Sequence, residues 1–335
     1  MLTLEWSTIE SLGMNYRQII ADSWKYTQSN KRLIIWFGFF SCLLTTTVGV
    51  GYIAYQFFAF KNSYLFSSEE HSFLSQVVGF ILDFIKTNLS LTVPLVVFAA
   101  IFAIFYFLYP TLAKAAAIQV IARNKNGQKA GVGTGFRHGM MSFLPLFEYH
   151  LLINTFGFFS ILIEMSFVLR NLGPVIFKIL LPLFIILVVL GFILTLLFTY
   201  TDFYIVIDNE PIFSAMKKSA KLVIMHWKYT FLISILMIII GLRIIIQVVM
   251  VFLIPALIVL ITGYLATVTL PVTGVIVGGI VGLIALILAA YLTGIVEIFS
   301  YTVWTYTFLA VTNEKELSAR EAVPETIAEE HVHNS

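Results

Sequence analysis

Six long apolar runs alternate along this chain with shorter polar segments that carry most of its lysines. They cover residues 33–60, 89–122, 143–169, 175–201, 231–255 and 274–311. A helix needs about 20 apolar residues to cross roughly 30 Å of hydrocarbon, so each run is long enough to span a bilayer. None shows the period-two alternation of a barrel strand, and in lipid only a helix satisfies its own backbone groups within one segment. The pattern predicts an all-α polytopic membrane protein with six transmembrane helices. Two stretches need separate treatment. Residues 73–88 are apolar but short, and Asp83 and Lys86 interrupt them, so they read as a helix lying on the outer face. Residues 231–311 are nearly uncharged. Two tilted, overlong helices fit them, and so do three shorter ones. Three would place the acidic tail outside.

Charge placement favours two. Lys25, Lys31 and Arg32 precede the first run; Lys114, Arg123, Lys125, Lys129 and Arg137 lie at the second-to-third turn. Lys217, Lys218, Lys221 and Lys228 lie between the fourth and fifth, and Lys315 and Arg320 follow the sixth. The other side carries only Lys61, Lys86, Arg170 and Lys178. The positive-inside rule then puts both termini in the cytoplasm. Trp24, Trp36, Trp227 and Trp304 fall near the same interface, as an aromatic belt does. The expected location is the cytoplasmic membrane, with multiple passes. Residues 1–32 read as a cytoplasmic amphipathic segment and 33–311 as the membrane domain. Residues 312–335 read as an acidic, disordered cytoplasmic tail.

Composition agrees with this class. Charged residues make up 11% of the chain, against about a quarter in a soluble domain. The lone cysteine, Cys42, allows neither an intrachain disulfide nor a cysteine metal site.

A mixed segment precedes each pair of spans, at 16–32, 133–145 and 211–228. In the third, Phe213, Met216, Ala220, Val223 and Trp227 recur at spacings of three or four. Lys217, Lys218 and Lys221 occupy other faces, and Pro211 suits the first turn. This predicts a surface helix, apolar side among the headgroups and lysines toward anionic lipid. The chain reads as three units, each a surface segment followed by a helical hairpin.

The same segment carries a resemblance. Asp208-Asn209-Glu210-Pro211, Ser214-Ala215-Met216-Lys217-Lys218-Ser219, Leu222-Val223 and Trp227 form an acidic turn, a basic helix and an aromatic before a span. This resembles the cytoplasmic signature of a broad group similar to the membrane domain attached to glycerophosphoryl diester phosphodiesterases. Ser23-Trp24-Lys25 through Trp36 is in keeping with it. The resemblance implies a six-helix membrane domain. No soluble stretch is long enough to hold the phosphodiesterase barrel, so that activity is not carried over.

The polar residues offer no catalytic constellation, no metal site, no cofactor cradle and no nucleic-acid surface. Gly131, Gly133, Gly135 and Gly139 read as a flexible linker, since a phosphate loop would need a preceding strand. His331 and His333 have no cysteine partner. Glu148 and His150, two apart, point to different helix faces and read as interface residues. Asp202 reads as solvated at the inner end of the fourth run. Arg243, Glu297 and Glu164 are the intramembrane ionisable residues. Charge in hydrocarbon is expensive and takes a partner or a purpose. An Arg243–Glu297 pair, with Glu164 as the alternative acid, would lock helices; a polar path for a solute is the other reading. Gly274, Gly278 and Gly282 form small-xxx-small pairs and predict a packing seam. That seam would meet a neighbouring helix, another copy of the chain or a different membrane protein.

The expected function is non-enzymatic: scaffolding, assembly or envelope maintenance within the bilayer. The alternative is a transporter or channel with a polar path near Arg243, Glu297 and Glu164. A dry, packed bundle favours the first and a polar cavity the second. Reporter fusions after Ser67, Asn171, Thr269 and Ser335 test the threading. The first three should report outside and the last inside; an external signal at Ser335 would favour seven spans.

Overall fold

The computed structural model describes residues 16–61, 73–242 and 271–321, which form helices joined by short turns, with no strand among them. Helix α1 (Tyr16–Ser29) leads into the short α2 (Lys31–Leu33), a π-helical stretch (Ile34–Phe39) and α3 (Phe40–Lys61). Then come α4 (Phe73–Thr87), α5 (Leu89–Lys125), α6 (Val132–Asn154), α7 (Phe158–Asn171) and α8 (Gly173–Leu197). The short α9 (Thr201–Val206) and the surface helix α10 (Ile212–Met225) are followed by α11 (Trp227–Leu242) and the long α12 (Pro271–Glu321).

These helices are those of a polytopic membrane protein. Among the described residues, Lys31–Tyr52, Leu89–Lys125, Gly173–Leu197 and Gly279–Thr312 are long and apolar enough to cross a bilayer. A fifth joins them if α10 and α11, bent by 96°, count as one broken span. The third apolar run departs from expectation. It is not one helix but breaks between Asn154 and Phe158, where α6 ends and α7 begins. The first part of α6 also starts well before the apolar run, at Val132.

The supposed glycine linker explains that early start. Gly133, Gly135 and Gly139 lie inside α6, not in a loop. A Cβ at Gly139 would lie 2.8 Å from the Ala116 nitrogen, and one at Gly135 would lie 2.5 Å from Val120 Cγ2. Glycine lowers intrinsic helix stability, but here it lets α6 lie against the alanine-rich end of α5, where Ala113, Ala115, Ala116 and Ala117 are fully buried. Backbone-close packing supplies the van der Waals contact that lipid cannot drive by hydrophobicity.

The packed core sits at helix ends. One cluster joins Ile118, Leu146, Tyr200, Phe203, Val206, Leu222 and Phe308. Another joins Leu33, Phe37, Ala116, Val120, Ile298 and Tyr306. By contrast, Leu89, Val93, Phe98 and Phe105 along the first part of α5 are exposed, as lipid-facing residues are.

The break between α8 and α9 sits inside this core and its backbone groups are met by side chains. Ser219 of α10 donates its hydroxyl to the Leu197 carbonyl at 2.8 Å and accepts the Tyr200 N–H at 3.1 Å. The Val206 carbonyl accepts hydrogen bonds from Gln119 of α5 and from Ser142 of α6. Asn209 then takes a left-handed conformation, φ 52°, which reverses the chain into α10.

Among the described glycines of α12, Gly294 forms a close seam. A Cβ there would sit 2.6 Å from the Phe39 nitrogen, and one at Gly38 would sit 2.4 Å from the Gly294 oxygen. Gly38 belongs to the π-helical stretch, so the widened turn and the missing side chain let the two backbones meet. At Gly282 an added Cβ meets nothing within 4 Å. Gly274 and Gly278 are in α12, but their surroundings lie outside the described residues. Gly294→Ala should therefore lower stability by about 1–3 kcal/mol through overpacking. Gly282→Ala should leave it unchanged or slightly raised. Thermal unfolding of the two variants in detergent checks this; equal melting temperatures would remove Gly294 as the seam.

Candidate functional site

Of the three ionisable residues expected in the membrane, two are described. Arg243 lies outside the described residues. Glu164 sits on the exposed side of α7. Glu297 of α12 accepts hydrogen bonds from the Cys42 thiol of α3 at 2.8 Å and from the Tyr301 hydroxyl one turn along its own helix.

A different trio converges instead. The Lys114 ammonium of α5 forms an ion pair with Asp202 Oδ2 at the start of α9. His150 Nε2 of α6 lies 3.4 Å from Asp202 Oδ1 and 3.5 Å from Lys114 Nζ. The imidazole completes an ion pair with the carboxylate when it is protonated. Lys114 Nζ also lies 5.7 Å from the centre of the Tyr301 ring, a cation–π distance. Since Tyr301 donates to Glu297, the polar groups form a relay from Asp202 through Lys114 and Tyr301 to Glu297 and Cys42. Burial pushes the Asp202 carboxyl up, but Lys114 and His150 outweigh it and hold the group well below the usual carboxylate range.

The fold fixes each member. Lys114 is carried on the alanine-packed end of α5, and His150 on α6, which the glycine contacts press against α5. Asp202 follows the break that Ser219 clips. Together they stand on the wall of a cavity of about 660 Å3, within the usual range for a small-molecule site. The rest of the wall is mostly apolar, including Ile153, Phe192, Leu196, Phe203, Ile238 and Trp304. Several wall hydroxyls already serve backbone carbonyls: Thr195 donates to Gly191, Ser234 to Thr230 and Tyr149 to Phe198. Lys114 and Asp202 are the charged residues of that wall, with His150 beside them.

Read from the sequence, Lys114 bears only on orientation, Asp202 reads as solvated and His150 as interfacial. A signal was present. Lys114 is the sole charge in run 89–122, and Asp202 directly follows run 175–201. What the sequence lacked was the meeting of α5, α6 and α9.

Helix α10 covers the segment expected at the membrane surface, and one of its faces packs against the core. Ala215, Ser219, Leu222 and Val223 are buried. Of the expected apolar stripe, Phe213 is 79% and Trp227 58% exposed. Small residues allow closer approach, so they turn inward and the aromatics turn out. Lys217 and Lys221 are exposed beside them. Lys218 instead pairs with Glu210, whose carboxyl is held below its usual range by the hydrogen bonds from Lys218 and Ser214.

No known protein family, curated protein or solved structure matches this chain.

Removing one partner of the ion pair should expose its cost. Lys114→Met strands the Asp202 carboxylate and should destabilise by about 3 kcal/mol. Adding Asp202→Asn should recover part of that, giving a non-additive cycle. A carboxyl depressed in the folded state stabilises fully above its unfolded value, and that contribution fades as pH falls below about 4. Wild type should therefore lose stability there more steeply than Asp202→Asn. Additive losses with parallel pH profiles would exclude the pair.

Proposed function

We propose that this chain is a non-enzymatic, multi-pass protein of the cytoplasmic membrane that binds a small, largely apolar molecule. The ligand's polar end would meet Lys114, His150 and Asp202. One observation carries this reading: an ionic cluster on the wall of an otherwise apolar cavity. A protein serving only to brace other membrane proteins has no use for such a cavity. Binding is the first requirement of a carrier, so the cavity also suits the transport alternative. The resemblance to the phosphodiesterase-linked membrane domain fits a ligand-binding role without bringing any hydrolytic activity.

A scaffolding role keeps one observation in its favour. The exposed arc of α10 combines Phe213 and Trp227 with Lys217 and Lys221, which suits an anionic headgroup layer. The two roles are compatible, since docking of α10 to the bilayer would leave the cavity untouched.

Trp304 lines the cavity and serves as a built-in reporter. Brominated acyl chains quench indole fluorescence on contact. The Trp304 contribution, taken as wild type minus Trp304→Phe, should be quenched saturably by brominated phospholipid. Ser300→Phe, which places a ring in the cavity, should relieve that quenching. A Trp304 signal indifferent to brominated chains would overturn the binding role.

A further inference from the structure

The charges on the cavity wall select the kind of molecule it takes, an inference that rests on the binding role just proposed. Lys114 and Asp202 cancel one another, so the wall carries no net charge while His150 is neutral. The carboxylate oxygens are already taken. Asp202 Oδ2 holds the Lys114 ammonium, and Oδ1 is buried with His150 Nε2 facing it at 3.4 Å. The donor side is still open. Lys114 and His150 keep 23% and 20% of their side-chain surface accessible, and both line the cavity. The ammonium has three N–H groups, of which the ion pair needs one.

The imidazole is the base of this wall. An Nε2–H turned to Asp202 Oδ1 serves that oxygen and leaves the ring's lone pair on Nδ1. The polar contacts of the ring, to Lys114 and Asp202, run through Nε2, and Nδ1 is not sealed beneath other atoms. Among the described residues, the charged or titratable groups facing the ring are Lys114 of α5, Asp202 of α9 and the neighbouring Tyr149 of α6. Tyr301 of α12 lies beyond Lys114. The α8 and α11 parts of the wall bring hydroxyls but no charge.

An anion beside Lys114 would by itself leave an unmatched negative charge in an apolar cavity, which is costly. A proton on His150 Nδ1 removes that cost. The imidazolium then turns Nε2–H to Asp202 and Nδ1–H to the ligand, and two cations face two anions. A bound cation has no such route, because both Asp202 oxygens are occupied and no further acid lines the wall among the described residues.

We infer that the cavity is a proton-coupled binding site for an apolar molecule ending in a single carboxylate, with Lys114 holding the anion and His150 taking up one proton as it binds. The two carboxylate oxygens can take one donor each. The proton comes from water, one N–H bond forms at Nδ1, no other covalent bond changes, and the site stays neutral. A carrier built on this site would move acid and proton together, without net charge.

Calorimetric titration of the full-length protein in detergent micelles tests this. Decanoate is the probe, empty micelles are subtracted, and decanol and decyltrimethylammonium serve as neutral and cationic counterparts. Titrations at about pH 8, where an unperturbed imidazole is neutral, are repeated in two buffers of different protonation enthalpy. The difference in heat counts the protons taken up. Decanoate should half-saturate the protein at a micellar mole fraction about tenfold below the other two. It should take up about one proton per molecule bound. His150→Gln, which keeps the Lys114–Asp202 pair, should abolish the uptake and weaken decanoate binding about tenfold. Wild type decides the matter by itself if that variant folds poorly. Decanoate bound without proton uptake would overturn the assignment and leave the binding role standing. So would decanol or the ammonium binding as tightly as decanoate, or uptake undiminished in a folded His150→Gln. Binding of none of the three would overturn the binding role itself.

Discussion

A lysine inside an apolar run must find an anion, and here Lys114 finds Asp202. The pair can exist only because three separate features hold its two sides. The alanine stretch of α5 allows α6 to approach closely. The glycines of α6 take up that approach. Ser219 of α10 clips the break that sets Asp202 at the start of α9. Each would be unfavourable alone: glycines weaken a helix, a buried break exposes backbone, and a buried charge is desolvated. Combined, they leave the backbone groups paired and give the charge a partner. The cavity follows from the same arrangement, because the chain turns aside at Tyr200 instead of extending α8 into it.

Small residues recur on the inward faces of the surface segments. Ser23 and Thr27 are buried on α1, Gly135 and Gly139 on α6, and Ala215 and Ser219 on α10. Each pair is four residues apart, so its members stack on one helix face. Serine and threonine also return their hydroxyls to carbonyls of their own helix, as Ser23 does to Ile19 and Thr27 to Ser23. This leaves compact inward surfaces and sends large side chains such as Trp24, Phe213 and Trp227 toward the outside.

Helix α10 exposes Phe213 and Trp227 beside Lys217 and Lys221. Phe192 of α8 and Ile238 of α11 are exposed at the rim of the cavity. The ionic trio lies behind that rim, where an ionic contact is screened less than at the surface.

The membrane class and the helical nature of the chain were legible in the apolar runs, because a long uncharged segment has few other stable states in lipid. A helix at α10 was legible too, from its spacing and its proline start. Which residues it turns toward α8 and α9 was not, since that contact belongs to the tertiary structure. The glycines of α6 looked like a linker for the same reason: glycine loosens an isolated helix, and only a partner backbone at contact distance makes it an asset. Lys114, His150 and Asp202 were visible as charges or potential charges in or beside apolar runs, but they come from three distant parts of the sequence. Periodicity along one helix says which residues share a face. It does not say which faces meet, and so the site belonged to the tertiary structure alone.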